Sequence, residues 1–95
     1  MYKRHNEKMI QREILKYLAT VEECWVIKVV ISNERGCPDV LACIQGKFLA
    51  LEIKDETGQP TAIQCAQHRR IEKAGGKVYI VRSVKEVQHI VKGMA

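Results

Sequence analysis

Residues 40–44 and 47–54 are two runs of β-branched and apolar residues separated only by Gln45-Gly46, and that spacing dictates a β-hairpin. Neither run is long enough for a helix. Gly46 supplies the positive φ that a tight turn needs, although Gln-Gly is a weaker turn signal than Asn-Gly. Pro38 lacks a backbone donor and favours an extended Cys37, so the chain enters the first strand of the hairpin abruptly at Asp39.

Other elements flank this hairpin. From Asn6 to Thr20, Ile10, Ile14, Tyr17 and Leu18 recur at helical steps and predict an amphipathic helix. Glu13, three residues after Ile10 and four before Tyr17, falls on or beside that apolar stripe and needs a partner there. Trp25 to Ile31 predicts a mostly buried strand, and Ser32 to Pro38 a loop. Asp55 to Pro60 is a second loop. Thr61 and Gln64 have capping-box spacing and open a second helix that stops at Gly75-Gly76. Lys77 to Val81 is a fourth strand, and Ser83 with Glu86 opens a short closing helix ended by Gly93. The order αβββαβα, with a helical crossover after a hairpin, predicts an α/β sandwich: a mixed sheet with helices on its faces.

Ninety-five residues with no internal repeat or linker predict one domain over 1–95. Sixteen Lys and Arg against eleven Asp and Glu leave a net charge of +5, which favours a polyanionic partner. Aromatics at 5% are too few for a base-stacking platform, so phosphate contact is the expected use of the charge. Cys24, Cys37, Cys43 and Cys65 form no CxxC pair, and no His stands at finger-like spacing from them, which argues against structural zinc and for small buried thiols. No apolar run approaches a membrane span or a signal-peptide core, so a reduced, intracellular protein with no membrane partner is expected.

The chemistry concentrates in Asp39, Glu52 and Lys54. Residues two apart in a strand share a face, so Glu52 and Lys54 project with Phe48 and Ala50, and Leu49, Leu51 and Ile53 project oppositely. A turn on Gln45-Gly46 sets Asp39 opposite Glu52, and a turn on Gly46-Lys47 sets it opposite Lys54. Directly opposed residues share a face at ~4.5 to 5.5 Å between Cβ atoms, so both turns give one cluster, whereas a three-residue turn or a bulge breaks it. Two carboxylates ~4 Å apart repel by roughly 4 kcal/mol at an effective dielectric near 20, and one Lys does not offset that. A hard divalent cation between them does. The bland reading of Glu52-x-Lys54, an ion pair on a solvated strand worth under about 1 kcal/mol, leaves Asp39 and Glu13 unexplained.

Gly36-Cys37-Pro38-Asp39 followed by Glu52-Ile53-Lys54 is similar to the PD-(D/E)XK nuclease signature. With Glu13 on the first helix and Thr61-x-x-Gln64 after Gly58, the chain most resembles the VRR-NUC (virus-type replication-repair nuclease) branch over about residues 6 to 82. The resemblance implies a restriction-endonuclease-like fold in which Asp39, Glu52 and the Ile53 carbonyl ligate Mg²⁺ or Mn²⁺ and Lys54 positions the attacking water. It implies supporting roles for Glu13 and Gln64 near that water or the substrate phosphate, although a Gln at this place can also merely complete a capping box. Asp55-Glu56 departs from the pattern by adding negative charge beside a phosphate groove.

The expected function is a metal-dependent, structure-selective DNA endonuclease with no organic cofactor, and the resemblance implies a homodimeric resolvase of four-way junctions, suited to a virus or mobile element. Arg35, in the loop leading to Asp39, is the first candidate phosphate contact, with Lys28, Arg69 and Lys73 behind it. His68 and His89 lie on polar helical stretches and are expected at the surface. The competing readings are a flap or branched-DNA nuclease working with a replication or repair partner, and a non-catalytic nucleic-acid-binding domain of the same fold.

Overall fold

A computed structural model describes residues 6–94 and has the expected order: α1 (Glu7–Leu18), β1 (Cys24–Lys28), β2 (Val40–Ile44), β3 (Lys47–Ile53), α2 (Ala62–Lys73), β4 (Lys77–Val81) and α3 (Val84–Gly93). The strands lie in the order β1-β2-β3-β4; β1, β2 and β3 pair antiparallel, and β4 joins β3 in parallel through the α2 crossover. Gln45 and Gly46 both have positive φ, 51° and 81°, as a type I′ hairpin turn requires, and Ile44 pairs with Lys47. Of the two turns the sequence allows, the first is the one formed.

One face of the sheet carries the main core. Val40, Ala42, Ile44, Leu49, Leu51, Ile53 and Val81 bury against Ile10, Ile14 and Leu18 of α1 and Val87 of α3. Asn6 caps α1, Thr61 caps α2 with the full reciprocal box through Gln64, and Ser83 caps α3. In the last case the Glu86 carboxylate turns back to the amide of Arg82 instead of Ser83, so that box is only half made. The other face of the sheet carries α2, which packs on β4 and leaves the β1 side of that face bare. No helix among the described residues is long and apolar enough to cross a membrane.

Two expectations are corrected. The first strand ends at Lys28 and is the edge of the sheet, so Trp25 and Ile27 are exposed and Val29 to Ile31 run on outside it. A β-branched run signals a strand without distinguishing an edge from a centre. The four cysteines are half-buried, with Cys24 at the edge strand pushed above the usual thiol range by burial and by Cys43 beside it.

Candidate active site

The hairpin register decides the site. Val40 pairs with Leu51, and the Asp39 amide donates to the Leu51 carbonyl at 3.1 Å, so Asp39 stands one step earlier, opposite Glu52. Asp39 Oδ2 accepts from the Ile53 amide at 2.8 Å, which fixes the carboxylate across the strand. The Glu52 side chain is fully buried, unlike that of a solvated strand face. Its pKa is pushed up to about 8, first by burial, then by the Asp39 charge and a carboxyl–carboxyl hydrogen bond to Asp39, with Lys54 pulling the other way. Two acids in contact hold one proton between them near neutral pH, as like charges this close require. Lys54, almost fully buried at the end of β3, supplies a positive charge felt by both Glu52 and His68.

Helix α2 reaches across to this pair with two side chains. Gln64 Nε2 donates to Glu52 Oε2 at 3.2 Å while its Oε1 accepts from the Thr61 amide at 2.8 Å, so the same amide both closes the capping box and holds the carboxylate. His68 Nε2 lies 3.0 Å from Glu52 Oε1. His68 is therefore buried, contrary to the surface position expected of it, and burial lowers its pKa. The missed signal was periodicity: His68 is four residues after Gln64, so if one faces the site the other does too. It is the one buried residue of α2.

Helix α1 carries two acids that bear on the site differently. Glu13 is exposed and is not among the charges acting on Glu52, whereas Glu7 is. Glu7 Oε2, Lys54 Cδ and Asp55 Oδ1 converge on Gly58, all within 3.5 Å of where a Cβ there would stand. Glu7 is exposed too, but it precedes Ile14 by two helical turns and so stands in line with Ile10 and Ile14, while Glu13 is a single step of about 100° away from Ile14. A strict count of the period finds Glu7.

Of the four cations expected at phosphate, Arg35 is exposed in the 32–37 loop that leads to Asp39, with its carbonyl held by Gln67 of α2. Lys28 pairs with core-facing Val40 and so projects on the α1 side of the sheet, away from the carboxylates. Arg69 and Lys73 are exposed on the part of α2 turned away from Gln64 and His68. The acidic pair after Lys54 is partly absorbed by its own loop. Asp55 Oδ1 accepts from the amides of Thr57 and Gly58, and Arg82 donates to the carbonyls of Asp55 and Gly58.

Gly36 sets the approach of the Asp39 loop to α2. It has φ +84°, and a Cβ would lie 2.6 Å from Ile63 Cγ2 and 2.9 Å from the Ile63 carbonyl oxygen. Gly36→Ala is expected to cost more than about 1–2 kcal/mol, the left-handed penalty alone, with the clash added. Urea denaturation reads the loss, and an unchanged midpoint would show that the loop has room to shift.

Among the described residues no group of three His, Cys, Asp or Glu side chains is arranged to hold a metal. The donor set suits a hard cation differently, through two carboxylates and a backbone oxygen, the remaining positions going to water and substrate phosphate. The contact of Asp39 with buried Glu52 is what such a cation would relieve.

Residues 2–93 match the family described as archaeal Holliday junction resolvase (Hjc). A solved structure described as a VRR_NUC domain superposes with a TM-score of 0.79 at 26% identity, covering 94% of this chain and 97% of that one. Hjc of Archaeoglobus fulgidus, a Holliday junction resolvase from an archaeal hyperthermophile, superposes with a TM-score of 0.60 at 21% identity, over 80% of this chain and 67% of that one, a likeness of fold. A comparison with curated proteins gives no match. The restriction-endonuclease-like architecture expected from the sequence is thus the one present.

Proposed function

The chain belongs to the archaeal Holliday junction resolvase family, a VRR-NUC-type nuclease fold, and from that premise we propose that it is a divalent-metal-dependent endonuclease cutting four-way DNA junctions as a homodimer. The observation that carries this reading is the contact between Asp39 and buried Glu52, whose pKa is raised by burial first and by the Asp39 charge second. Asp39, Glu52 and the Ile53 carbonyl are the residues that would hold Mg²⁺ or Mn²⁺. The ion, when bound, polarises the scissile phosphate and offsets the charge that develops on it.

The side chains divide the remaining work. Lys54 donates to the attacking water and balances charge as the new P–O bond forms and the bond to the leaving sugar oxygen breaks. Gln64 and His68 lock the Glu52 carboxylate from the helix side, so its oxygens need no reorganisation during the reaction. Glu7 completes the acidic rim near Gly58. Arg35 contacts the DNA backbone beside the cut. No base-reading motif accompanies these groups, which supports selection by DNA shape. The four free thiols support action in a reducing compartment, inside the cell and in a host cytoplasm if the source is viral.

The test incubates the purified chain with labelled four-way junction, flap and linear duplex in Mg²⁺, in Mn²⁺ and in EDTA. Paired symmetric incisions on the junction, lost in EDTA, are the expected result. Single cuts near a flap would replace the resolvase reading with a branched-DNA nuclease. DNA binding without cleavage in either metal would leave a non-catalytic binder.

A further inference from the structure

A second concavity opens beside the carboxylates. It lies between the 32–37 loop, α2 and the face of β2 and β3 that carries Asp39 and Glu52, and it encloses about 250 Å³. Its floor and end wall are apolar, made by Pro38, Leu41, Ile71 and the Phe48 ring. Its rim is polar, with Asn33, Glu34, Gln67 and Arg70. The walls are held in place. Gln67 Nε2 donates to Glu34 Oε1 and to the Arg35 carbonyl, each at 3.0 Å, and an Arg70 guanidinium nitrogen donates to Glu34 Oε1 at 2.6 Å, so loop and helix are tied together at the mouth. At the far end a Cβ on Gly76 would stand 2.8 Å from Phe48 Cδ1 and 2.9 Å from Ile71 Cγ2, so both side chains close on bare backbone there. Phe48 still stays 42% exposed, a fixed ring with free surface.

We propose that this concavity takes one unpaired nucleobase from the branch point of the DNA, next to the phosphodiester that the carboxylates address. The inference rests on the proposed nuclease reading and deepens it, because it names the feature of a branched substrate that is recognised. Drug-sized ligands fill about 300 Å³ or more, and this volume falls just below that, room for one flat heterocycle and little else. A base has two apolar faces and a hydrogen-bonding edge, and the apolar floor with its ring meets the faces while the rim meets the edge. Asn33 and Arg70 supply the edge contacts. Arg70 spends one nitrogen on Glu34 and Gln67, which leaves the other donors of its fork for a ligand. Glu34 and Arg70 also offset each other's charge, so the rim does not select a bare phosphate. Asp39 and Leu41 are two positions apart on one strand face, about 7 Å, or roughly two steps of a nucleic-acid strand stacked at ~3.4 Å. A base beside the cut therefore reaches the floor. Taking a base out of the stack costs least where it is already unpaired, so a pocket for one favours a branch point over continuous duplex. One ring stacks one base, a smaller demand than the multi-ring platform that the composition argues against.

The probe is a four-way junction with 5-iodouracil at single positions around the branch point, bound to the full chain in EDTA and irradiated. Peptide mass spectrometry is expected to find crosslinks at Phe48 from positions at the branch point, and none there from a linear duplex with the same label. Phe48→Leu and Asn33→Trp are each expected to weaken junction binding on the order of tenfold, the loss of one base stack, and to leave duplex binding unchanged. Asn33 is exposed in its loop, so the bulkier side chain fills the mouth without acting through folding, and circular dichroism checks Phe48→Leu. Equal losses on junction and duplex overturn the pocket. So do junction affinities that both variants leave at the wild-type value, the result if another protein segment filled the space, and so does the absence of a junction-specific crosslink at Phe48. Cleavage in Mg²⁺ on the same samples keeps the two readings apart. A wild type that cuts junctions, with both variants binding and cutting as it does, rejects the pocket alone. A Phe48-dependent preference for junctions in a chain that cuts nothing rejects the nuclease alone.

Discussion

Asp39→Asn is expected to reduce Mg²⁺-dependent cleavage of a four-way junction by at least about 10³-fold, the order seen when a group stabilising transition-state charge is removed, while junction binding changes little. The substitution keeps the shape and the hydrogen bond from the Ile53 amide, so the hairpin should be undisturbed. It removes the formal charge that a cation needs from a site with only two carboxylates in direct contact. Lys54→Ala should give a loss of similar order with metal affinity preserved or raised, because the ammonium opposes a bound cation. Glu13→Gln, by contrast, should leave cleavage near wild type, and Glu7→Gln should lower it. Single-turnover cleavage with filter-binding controls measures all four, and robust cutting by Asp39→Asn would remove the site assignment.

In chelator, Glu52→Gln should make the protein more stable at pH 8 while ending its activity. Glu52 in the folded chain has its pKa raised from 4.5 to about 8, so the folded state holds a proton that the unfolded chain has already released. Such a group contributes stability fully below its unfolded pKa and loses it as pH rises through the folded one. The slope is about 1.4 kcal/mol per unit at pH 6.5 and about half that at pH 8, where the group is half titrated, so the wild type should lose roughly 1.5 kcal/mol over that window. His68 has its pKa lowered and acts in the opposite sense, its contribution disappearing as pH falls below the usual 6.5, which is why the window starts there. A glutamine has no proton to lose, and its amide can still meet Gln64 and His68. Urea denaturation in EDTA at the two pH values is the measurement. A wild-type stability that is flat or rises across the window, or a variant that still falls with the same slope, would contradict the buried-acid account. Adding Mn²⁺ at pH 8 should recover stability in the wild type only.

Much of this site was legible in the chain itself, because its main axis is local. Asp39 and Glu52 are joined by one tight hairpin, and strand alternation carries the side of one residue to the side of its partner without knowledge of the remainder. Gln64 was legible as a cap, and the same side chain also donates to Glu52. His68 was misplaced because a histidine among Gln, Arg and Glu has the composition of a surface stretch, and only its partner on a different element explains its burial. Glu7 and Glu13 differ by where each falls around α1, a distinction that a loose reading of the apolar stripe blurs and that packing on the sheet enforces.

The order of elements, the hairpin, the caps and the pairing of two acids were determined by the sequence alone, since each depends on steric preferences and hydrogen bonds between residues close along the chain. Which strand lies at the edge, which half of a sheet face a helix leaves bare, and how far burial raises Glu52 were decided by the tertiary structure. These depend on the removal of water by segments distant in sequence, and desolvation is a property of the assembled fold that no local pattern encodes.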